Sequence, residues 1–412
     1  MRPVSNKNGR KQLNISDAKV NLSTLSHLAI AILSIWIAVF SAFPVAFAGI
    51  QLFAVYLTAL GFFFLGVCIY KSLVHRCYVP LLFSVIVIVC TLVSIMKDWS
   101  AFDSVYGMLL YSLPLILLFL PKFVDMSLQR VCFFIQLMTL AAGFVSVLVV
   151  LGFIDSGVDG YNITILVVDN TIGLIGLIVS FYLLNIKESS KVFAWITVAV
   201  SLFVIISGQS RARMVYSAII IALWARYMLF LSERGRMRNA VVLVCATIVT
   251  FIFISAYSTQ LQDYLSFVIG RFDEIGEDMS SNYRFNEMKL HMQLFSENVW
   301  FGIGSGALNN DYSTAIGETI YGHNMLTGVF AFEGIIYATV FIAIFLSTLV
   351  RAIYRFIKEK TTLSMLVATM MVILTVLSVT SGGFSKLGTH IGMLAVGIIL
   401  NGRAAEKEND NK

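Results

Sequence analysis

Charged residues are scarce in this sequence. They make up 13% of its 412 residues, whereas 58% are apolar. A soluble domain has about a quarter charged residues, so a water-soluble globular fold is excluded. The apolar residues form runs of about 20, the length that crosses ~30 Å of hydrocarbon as a helix. These runs do not alternate as barrel strands do, so an all-α membrane protein is predicted.

Cysteines and nucleotide-binding motifs are also scarce. No pair of the five cysteines falls in a predicted outer loop, so we expect neither disulfides nor a metal cluster. The segment WFGIGSGALNNDY lacks the G-x-x-x-x-G-K-[ST] pattern, which favours a glycine turn over a nucleotide site. We therefore expect no cofactor. The basic residues behind the net charge of +6 cluster at helix ends, so nucleic acid is not an expected partner.

The apolar runs predict a bundle of about twelve transmembrane helices. With the N-terminus inside, 22 of the 29 Lys and Arg residues lie on the cytoplasmic side. Because positively charged loops favour the cytoplasm, both termini are expected on the cytoplasmic side. The expected location of the protein is a bacterial inner membrane. The predicted spans lie near 25–43, 45–70, 78–96, 105–120, 131–153, 170–186, 192–208, 212–231, 239–257, 325–349, 361–380 and 388–401.

One outer segment is far longer than the others, and it divides the chain. Its stretches Gln260–Ile269 and Tyr283–Phe295 mix apolar and charged residues at helical spacing, which predicts short amphipathic helices on the membrane surface. A long ordered loop between many spans is usually functional. The predicted organisation is a cytoplasmic tail (1–24), nine transmembrane helices (25–257), a large periplasmic loop (258–322), three transmembrane helices (323–401) and a cytoplasmic tail (402–412).

Two arginines oppose the charge bias at the start of one span. Arg211 and Arg213 lie in SGQSRARMVYSAII, where the chain re-enters the membrane from the outer side. An arginine near the membrane against the topology bias is a functional candidate. For Arg213 the alternative, that its side chain reaches lipid head groups, is equally good.

Two more arginines lie in the large outer loop. A phosphate or lipid-diphosphate substrate needs cations, and the planar guanidinium matches phosphate geometry best. Arg284, in SSNYRFNEMKL, is a candidate for that role, and Arg271 is a candidate substrate-binding residue. Arg271 is followed by Asp273 and Glu274, however, so a local ion pair is the stronger interpretation for it.

A histidine directly after the loop is the candidate base. His323 begins a helix at the outer surface in TIYGHNMLTGVFAFEGII, and imidazole can take a proton from a hydroxyl at neutral pH. His291 lies on an amphipathic stretch, where simple exposure explains it. Glu333 and Asp169 are intramembrane carboxylates that either support the site or pair with an arginine in the bundle.

Three motifs in order resemble those of one family. They are Q-S-R-x-R (Gln209–Arg213), a Tyr-Arg followed by an amphipathic stretch ending in G-x-G (Tyr283–Gly306), and G-H-N-x-L (Gly322–Leu326). With about twelve helices and one large late periplasmic loop, this order resembles the O-antigen polymerase and O-antigen ligase family. The likeness in sequence covers about residues 205–400, and the likeness in architecture covers the whole chain.

The resemblance implies an inverting, metal-independent glycosyltransferase that uses glycans carried on undecaprenyl diphosphate. It implies that Arg211 and Arg284 contact the diphosphate, that His323 is the catalytic or acceptor-positioning residue, and that Asn324 extends its motif in binding substrate. The histidine follows a glycine here, where some relatives have proline or another histidine. Membrane lipids and a chain-length regulator are further partners that the resemblance suggests.

The acceptor is left open by the sequence. A polymerase transfers the growing chain to another lipid-linked repeat unit, and a ligase transfers it to the lipid A–core oligosaccharide; we favour the polymerase slightly. A polysaccharide transporter or flippase is a remoter alternative. It predicts repeated halves and charged residues near the midplane, and no internal repeat is found. A non-catalytic membrane scaffold is the least favoured alternative.

Overall fold

The structure is a computed structural model that describes residues 49–97, 100–150, 170–186, 189–207, 210–231, 279–308, 324–380 and 387–401. About 90% of the described residues are helical, and none of them forms a strand. The predicted all-α class is therefore confirmed. The described helices are α1 (Gly49–His75), α2 (Tyr78–Met96), α3 (Ala101–Phe119), α4 (Leu128–Val150), α5 (Asn170–Asn185), α6 (Lys191–Ser207), α7 (Arg211–Arg226), α8 (Met279–Glu297), α9 (Met325–Glu359), α10 (Thr362–Thr380) and α11 (Leu387–Asn401).

Seven of the described helices are long and apolar enough to cross a membrane, and α5, α6 and α11 are apolar but shorter. These lengths and compositions indicate a membrane protein. The predicted span 78–96 coincides with α2, and 361–380 begins one residue before α10. The predicted spans 25–43 and 239–257 lie outside the described residues, so the count of about twelve is not confirmed.

Hydrogen bonds between helices show which helix ends lie together at each of the two ends of the bundle. At one end of the bundle Tyr227 Oη lies 3.1 Å from Thr362 Oγ1, and Asn401 Nδ2 donates to the Leu118 carbonyl at 3.1 Å. At the other end Gly306 N–H donates to Ser94 Oγ at 3.2 Å. These two sets of helix ends match the alternation that the Lys and Arg distribution predicts.

α3 lies at the centre of the bundle, and most of its residues are buried. It begins at Ser100, whose hydroxyl caps the helix by accepting the Asp103 N–H at 3.0 Å. It packs against α1, α2 and α11. A hydrogen bond joins α3 to α9, with Ser112 Oγ 2.9 Å from Tyr337 Oη.

α9 is broken near its outer end. Gly334 has φ +73° and ψ −179°, a conformation almost restricted to glycine. The break leaves backbone groups without their helical partners, and residues 298–304, which include the start of the predicted glycine turn (300–312), supply new ones. These bonds run from Ile303 N–H to the Ala331 carbonyl (2.8 Å), from Gly304 N–H to the Phe332 carbonyl (2.9 Å), and from Ile335 N–H to the Val299 carbonyl (2.8 Å).

The turn is also fixed to α2 and α3. Ser305 Oγ donates to the Ser104 carbonyl at 2.9 Å. The Lys97 ammonium donates to the Gly302 carbonyl and, at 3.4 Å, to Asn298 Oδ1. Partial burial lowers the pKa of Lys97 from its ordinary value of 10.5. Residues 298–306 of the predicted loop are thereby bonded to α2, α3 and α9.

Candidate functional site

The predicted site residues fall into three groups in the structure. Arg211 begins α7 and Arg284 lies within α8, but the side chains of both lie outside the described part of the chain. Arg271 and His323 lie outside it altogether, as does Asp169. Asn324 and Arg213 are described with their side chains.

Arg213 is buried, with only 6% of its surface exposed. A side chain reaching for lipid head groups would be exposed on the bundle, so the burial argues against the lipid alternative. One turn further along α7, Tyr216 Oη hydrogen-bonds to Thr380 Oγ1 at the end of α10. The start of α7 is thus packed into the bundle, with α5 and α6 as its other neighbours.

Asn324 caps α9. Its backbone is extended, and its side-chain Oδ1 accepts the Thr327 N–H at 3.3 Å. Its carbonyl accepts the Gly328 N–H at 2.9 Å, the first helical bond of α9. Asparagine is among the preferred residues at this position, because its oxygen satisfies an N–H that the helix leaves free. The predicted substrate-binding residue therefore has a structural role in the first turn.

α8 and the first half of α9 run side by side in the same direction. His291 contacts Thr327, and the rings of Phe295 and Phe330 pack edge to face with centroids 5.2 Å apart. Further along, the 298–304 turn docks at the break in α9. The N-terminal part of α8 therefore lies near the N-terminal end of α9, which begins directly after Asn324.

A polar cluster, formed by Glu287, His291, Asn324 and Thr327, is buried between α8 and α9. His291 is fully buried and Glu287 is 5% exposed. His291 Nδ1 lies 3.0 Å from Thr327 Oγ1, and Nε2 lies 4.0 Å from Glu287 Oε1. The expectation that His291 is simply exposed is therefore wrong. Tyr111 of α3 is close enough to interact electrostatically with Glu287.

His291 Nδ1 and Thr327 Oγ1 share a hydrogen bond of 3.0 Å, and the tautomer of the ring decides which of the two donates. Thr327 Oγ1 also lies 3.4 Å from the Asn324 carbonyl oxygen. The other ring nitrogen, Nε2, lies on the Glu287 side of the ring.

Arg284 shares the helix that supplies this cluster. It lies three residues before Glu287 and seven before His291, and residues seven apart occupy nearly the same face of a helix. The Cα of Arg284 is thus on the cluster face of α8, about 10 Å nearer the start of the helix. The backbone of α8 brings one predicted arginine position beside the start of α9.

Glu333 lies beside the break in α9 and is only 1% exposed. Its Oε1 has no hydrogen-bond partner among the described residues. A buried carboxyl oxygen without a partner is costly in a membrane interior. The predicted pairing of Glu333 with an arginine stays a prediction.

Comparison with known protein families found no family model that matches this chain, and comparison with curated protein sequences found no significant match. The structural class is that of a helical membrane protein. Among the described residues, the candidate site is characterised by the polar cluster between α8 and α9 and by the backbone position of Arg284 on α8.

Proposed function

We propose that this protein is a membrane glycosyltransferase that transfers a glycan from undecaprenyl diphosphate to an acceptor hydroxyl on the periplasmic face. The observation that carries the proposal is the packing of α8 against the first half of α9. It places the backbone of Arg284 on the face that meets the start of α9, where Asn324 adjoins His323. The charge distribution assigns this end of the bundle to the outside.

The chemistry needs charge stabilisation and an activated hydroxyl. The bond between the anomeric carbon and the diphosphate oxygen breaks, and undecaprenyl diphosphate leaves with the bonding electrons. Arg211 and Arg284 would bind that leaving group, because guanidinium remains charged and matches phosphate oxygens bidentately. No nucleotide sugar is required, since the lipid diphosphate is itself the leaving group.

The acceptor hydroxyl forms the new bond. Its oxygen attacks the anomeric carbon from the side opposite the diphosphate, which inverts the configuration, and its proton passes to His323. Asn324, the residue after His323 in the chain, caps the first turn of α9. Arg213 and Arg271 are proposed as further substrate-binding residues.

We propose the polymerase activity first and the ligase activity as the alternative. The two share the donor and differ in the acceptor, so deletion of the gene distinguishes them. Loss of a polymerase leaves lipopolysaccharide with core and a single repeat unit. Loss of a ligase leaves bare core and accumulates polymer on undecaprenyl diphosphate. Unchanged lipopolysaccharide and surface polysaccharide in the deletion strain would refute both activities.

A transporter is the second candidate, and the break at Gly334 is the observation in its favour. Transporters often bind substrate at broken helices, whose free backbone groups face the site. In α9 those groups instead bind the 298–304 turn. This occupation favours a structural role for the break, so we rank transport below glycosyl transfer.

A further inference from the structure

The first turn of α9 is tied to α8 by a continuous chain of hydrogen bonds. His291 Nδ1 and Thr327 Oγ1 are 3.0 Å apart. Thr327 then bonds twice to Asn324, through its N–H to Oδ1 at 3.3 Å and through its hydroxyl to the carbonyl at 3.4 Å. His291 is therefore linked to Asn324, the residue next to His323, through one side chain, that of Thr327.

His291 is unsuited to direct contact with a substrate. It is fully buried, its Nδ1 side is occupied by Thr327, and its Nε2 side faces Glu287. Its ring also packs edge to face on Phe332, with centroids 5.5 Å apart. Each of these contacts fixes the orientation of the ring, which is what a positioning residue requires.

The imidazole lies where three helices meet. A Cβ atom on Gly328 would lie 3.7 Å from His291 Cε1 and 3.6 Å from Tyr111 Oη, both ordinary van der Waals distances. α8, α9 and α3 therefore converge at this glycine. Glu287, one turn earlier on α8, approaches the ring at Nε2, with 4.0 Å between Nε2 and Oε1.

We propose that His291 is a positioning residue that holds the first turn of α9, which begins at its cap Asn324, in a fixed orientation against α8. Its effect on catalysis rests on the proposed glycosyl transfer, but its effect on the first turn of α9 does not. Glu287 orients the imidazole, and Thr327 transmits that orientation to Asn324. The sequence gives Glu287 and His291 the i, i+4 spacing that this arrangement needs.

Two isosteric variants separate the roles of the ring nitrogens. In His291→Asn the amide nitrogen occupies about the place of Nδ1 and keeps the bond to Thr327. In His291→Gln the amide reaches the place of Nε2 and loses that bond. His291→Ala removes both, and Met292→Ala, at a neighbouring half-exposed position on α8, is the matched control.

The first measurement is hydrogen exchange of a peptide covering residues 324–329 in the full-length protein in detergent. We expect the Thr327 and Gly328 amides to exchange at least about tenfold faster in His291→Gln and His291→Ala. The rates in His291→Asn and Met292→Ala should stay near the wild-type rate. Wild-type protection in His291→Ala, or equal protection in the Asn and Gln variants, would overturn the proposal.

The second measurement is transfer kinetics of the same variants with a lipid-linked donor. Misplacement of a catalytic group by about 1 Å costs about 100-fold in rate, so kcat should fall about 10- to 100-fold in His291→Gln while the donor KM stays near the wild-type value. His291→Asn should recover most of kcat. Faster exchange with unchanged kcat would overturn the catalytic half of the proposal.

The threonine provides an independent test that does not alter the histidine. Thr327→Val keeps the shape of the side chain and removes the hydroxyl, and Thr327→Ser keeps the hydroxyl. We expect fast exchange in the first and near-wild-type exchange in the second, and equal rates in both would contradict the proposal. If the exchange results hold but the wild-type protein transfers no glycan, the proposed function fails and the positioning role stands.

Discussion

The break in α9 is open to a sharp test at Gly334. In Gly334→Ala the new Cβ would lie within 3.0 Å of the Phe301 backbone nitrogen and of the Trp300 carbonyl carbon and oxygen. These are backbone atoms, so no side-chain rotation relieves the contact. The φ of +73° adds strain for any residue with a Cβ.

The cost is set by the cheaper of two responses. If the 298–304 turn stays docked, the strained backbone costs about 1–3 kcal/mol and the overlap costs a similar amount. If the turn undocks, three hydrogen bonds are lost, each worth about 0.5–1.5 kcal/mol. The first response costs about 2–6 kcal/mol and the second about 1.5–4.5 kcal/mol, so the less costly of the two destabilises the protein by roughly 2–4 kcal/mol. Gly66 is the control, because it lies within α1 with open space around its Cβ position, and alanine there gains about 1 kcal/mol.

Thermal unfolding of the purified variants in one detergent, at one heating rate, gives the readout. With an unfolding entropy of about 2.1 cal/mol/K per residue, a change of 1 kcal/mol shifts the midpoint by roughly 1 °C in a chain of 412 residues. We therefore expect Gly334→Ala to unfold at least about 3 °C below Gly66→Ala. Equal midpoints for the two variants would refute the docking of the turn at the break.

Three further predictions follow from the site and the topology. Transfer should be abolished, at near-normal protein levels, by Arg284→Ala and by Arg211→Ala. Lysine at either position should restore only part of the activity, because an ammonium group cannot bind phosphate bidentately as a guanidinium does. Arg271→Ala should have a milder effect, and full activity in Arg284→Ala would remove that residue from the site. Burial lowers the pKa of Lys97, so the folded protein binds this proton less tightly than the unfolded chain does, and the free energy of unfolding should rise as pH approaches 10.5. Lys97→Gln should flatten that rise when unfolding midpoints are measured across pH. An unchanged profile in the variant would contradict the prediction. Reporter fusions after residue 290 and at the C-terminus should report periplasm and cytoplasm respectively, and a cytoplasmic result for the first would refute the topology and the site.

The helices were largely predictable, because a long apolar run leaves the backbone no other solution in lipid. The break in α9 was not. The glycine at 334 sits in VFAFEGIIYA, where it is unremarkable. Its conformation depends on the 298–304 turn, which comes some thirty residues earlier and docks only in the folded bundle. A local pattern carries no information about such a contact.

The site was partly predictable. Arginines against the charge bias and a histidine at a helix start can be found in one sequence. The burial of His291 could not, because α8 mixes charged and apolar residues and does not show which face meets α9. The available signal was Glu287 one turn before His291, with Leu294 one turn after, on one face. That pattern indicates that Glu287 and His291 lie on the same face of the helix as the apolar Leu294, the face that is buried.

The proposed activity is glycosyl transfer by Arg211, Arg284 and His323 without a metal ion or a nucleotide. The most direct measurement is product formation by the purified protein in lipid bilayers, with an undecaprenyl-diphosphate-linked glycan as both donor and acceptor, in EDTA and without nucleotide. A parallel reaction supplies lipid A–core as acceptor. We expect elongated or core-linked product from the wild-type protein, and a rate lower by about 10²–10⁴-fold in His323→Ala. Absence of product with both acceptors, or activity that appears only when a divalent ion is restored, would contradict the account.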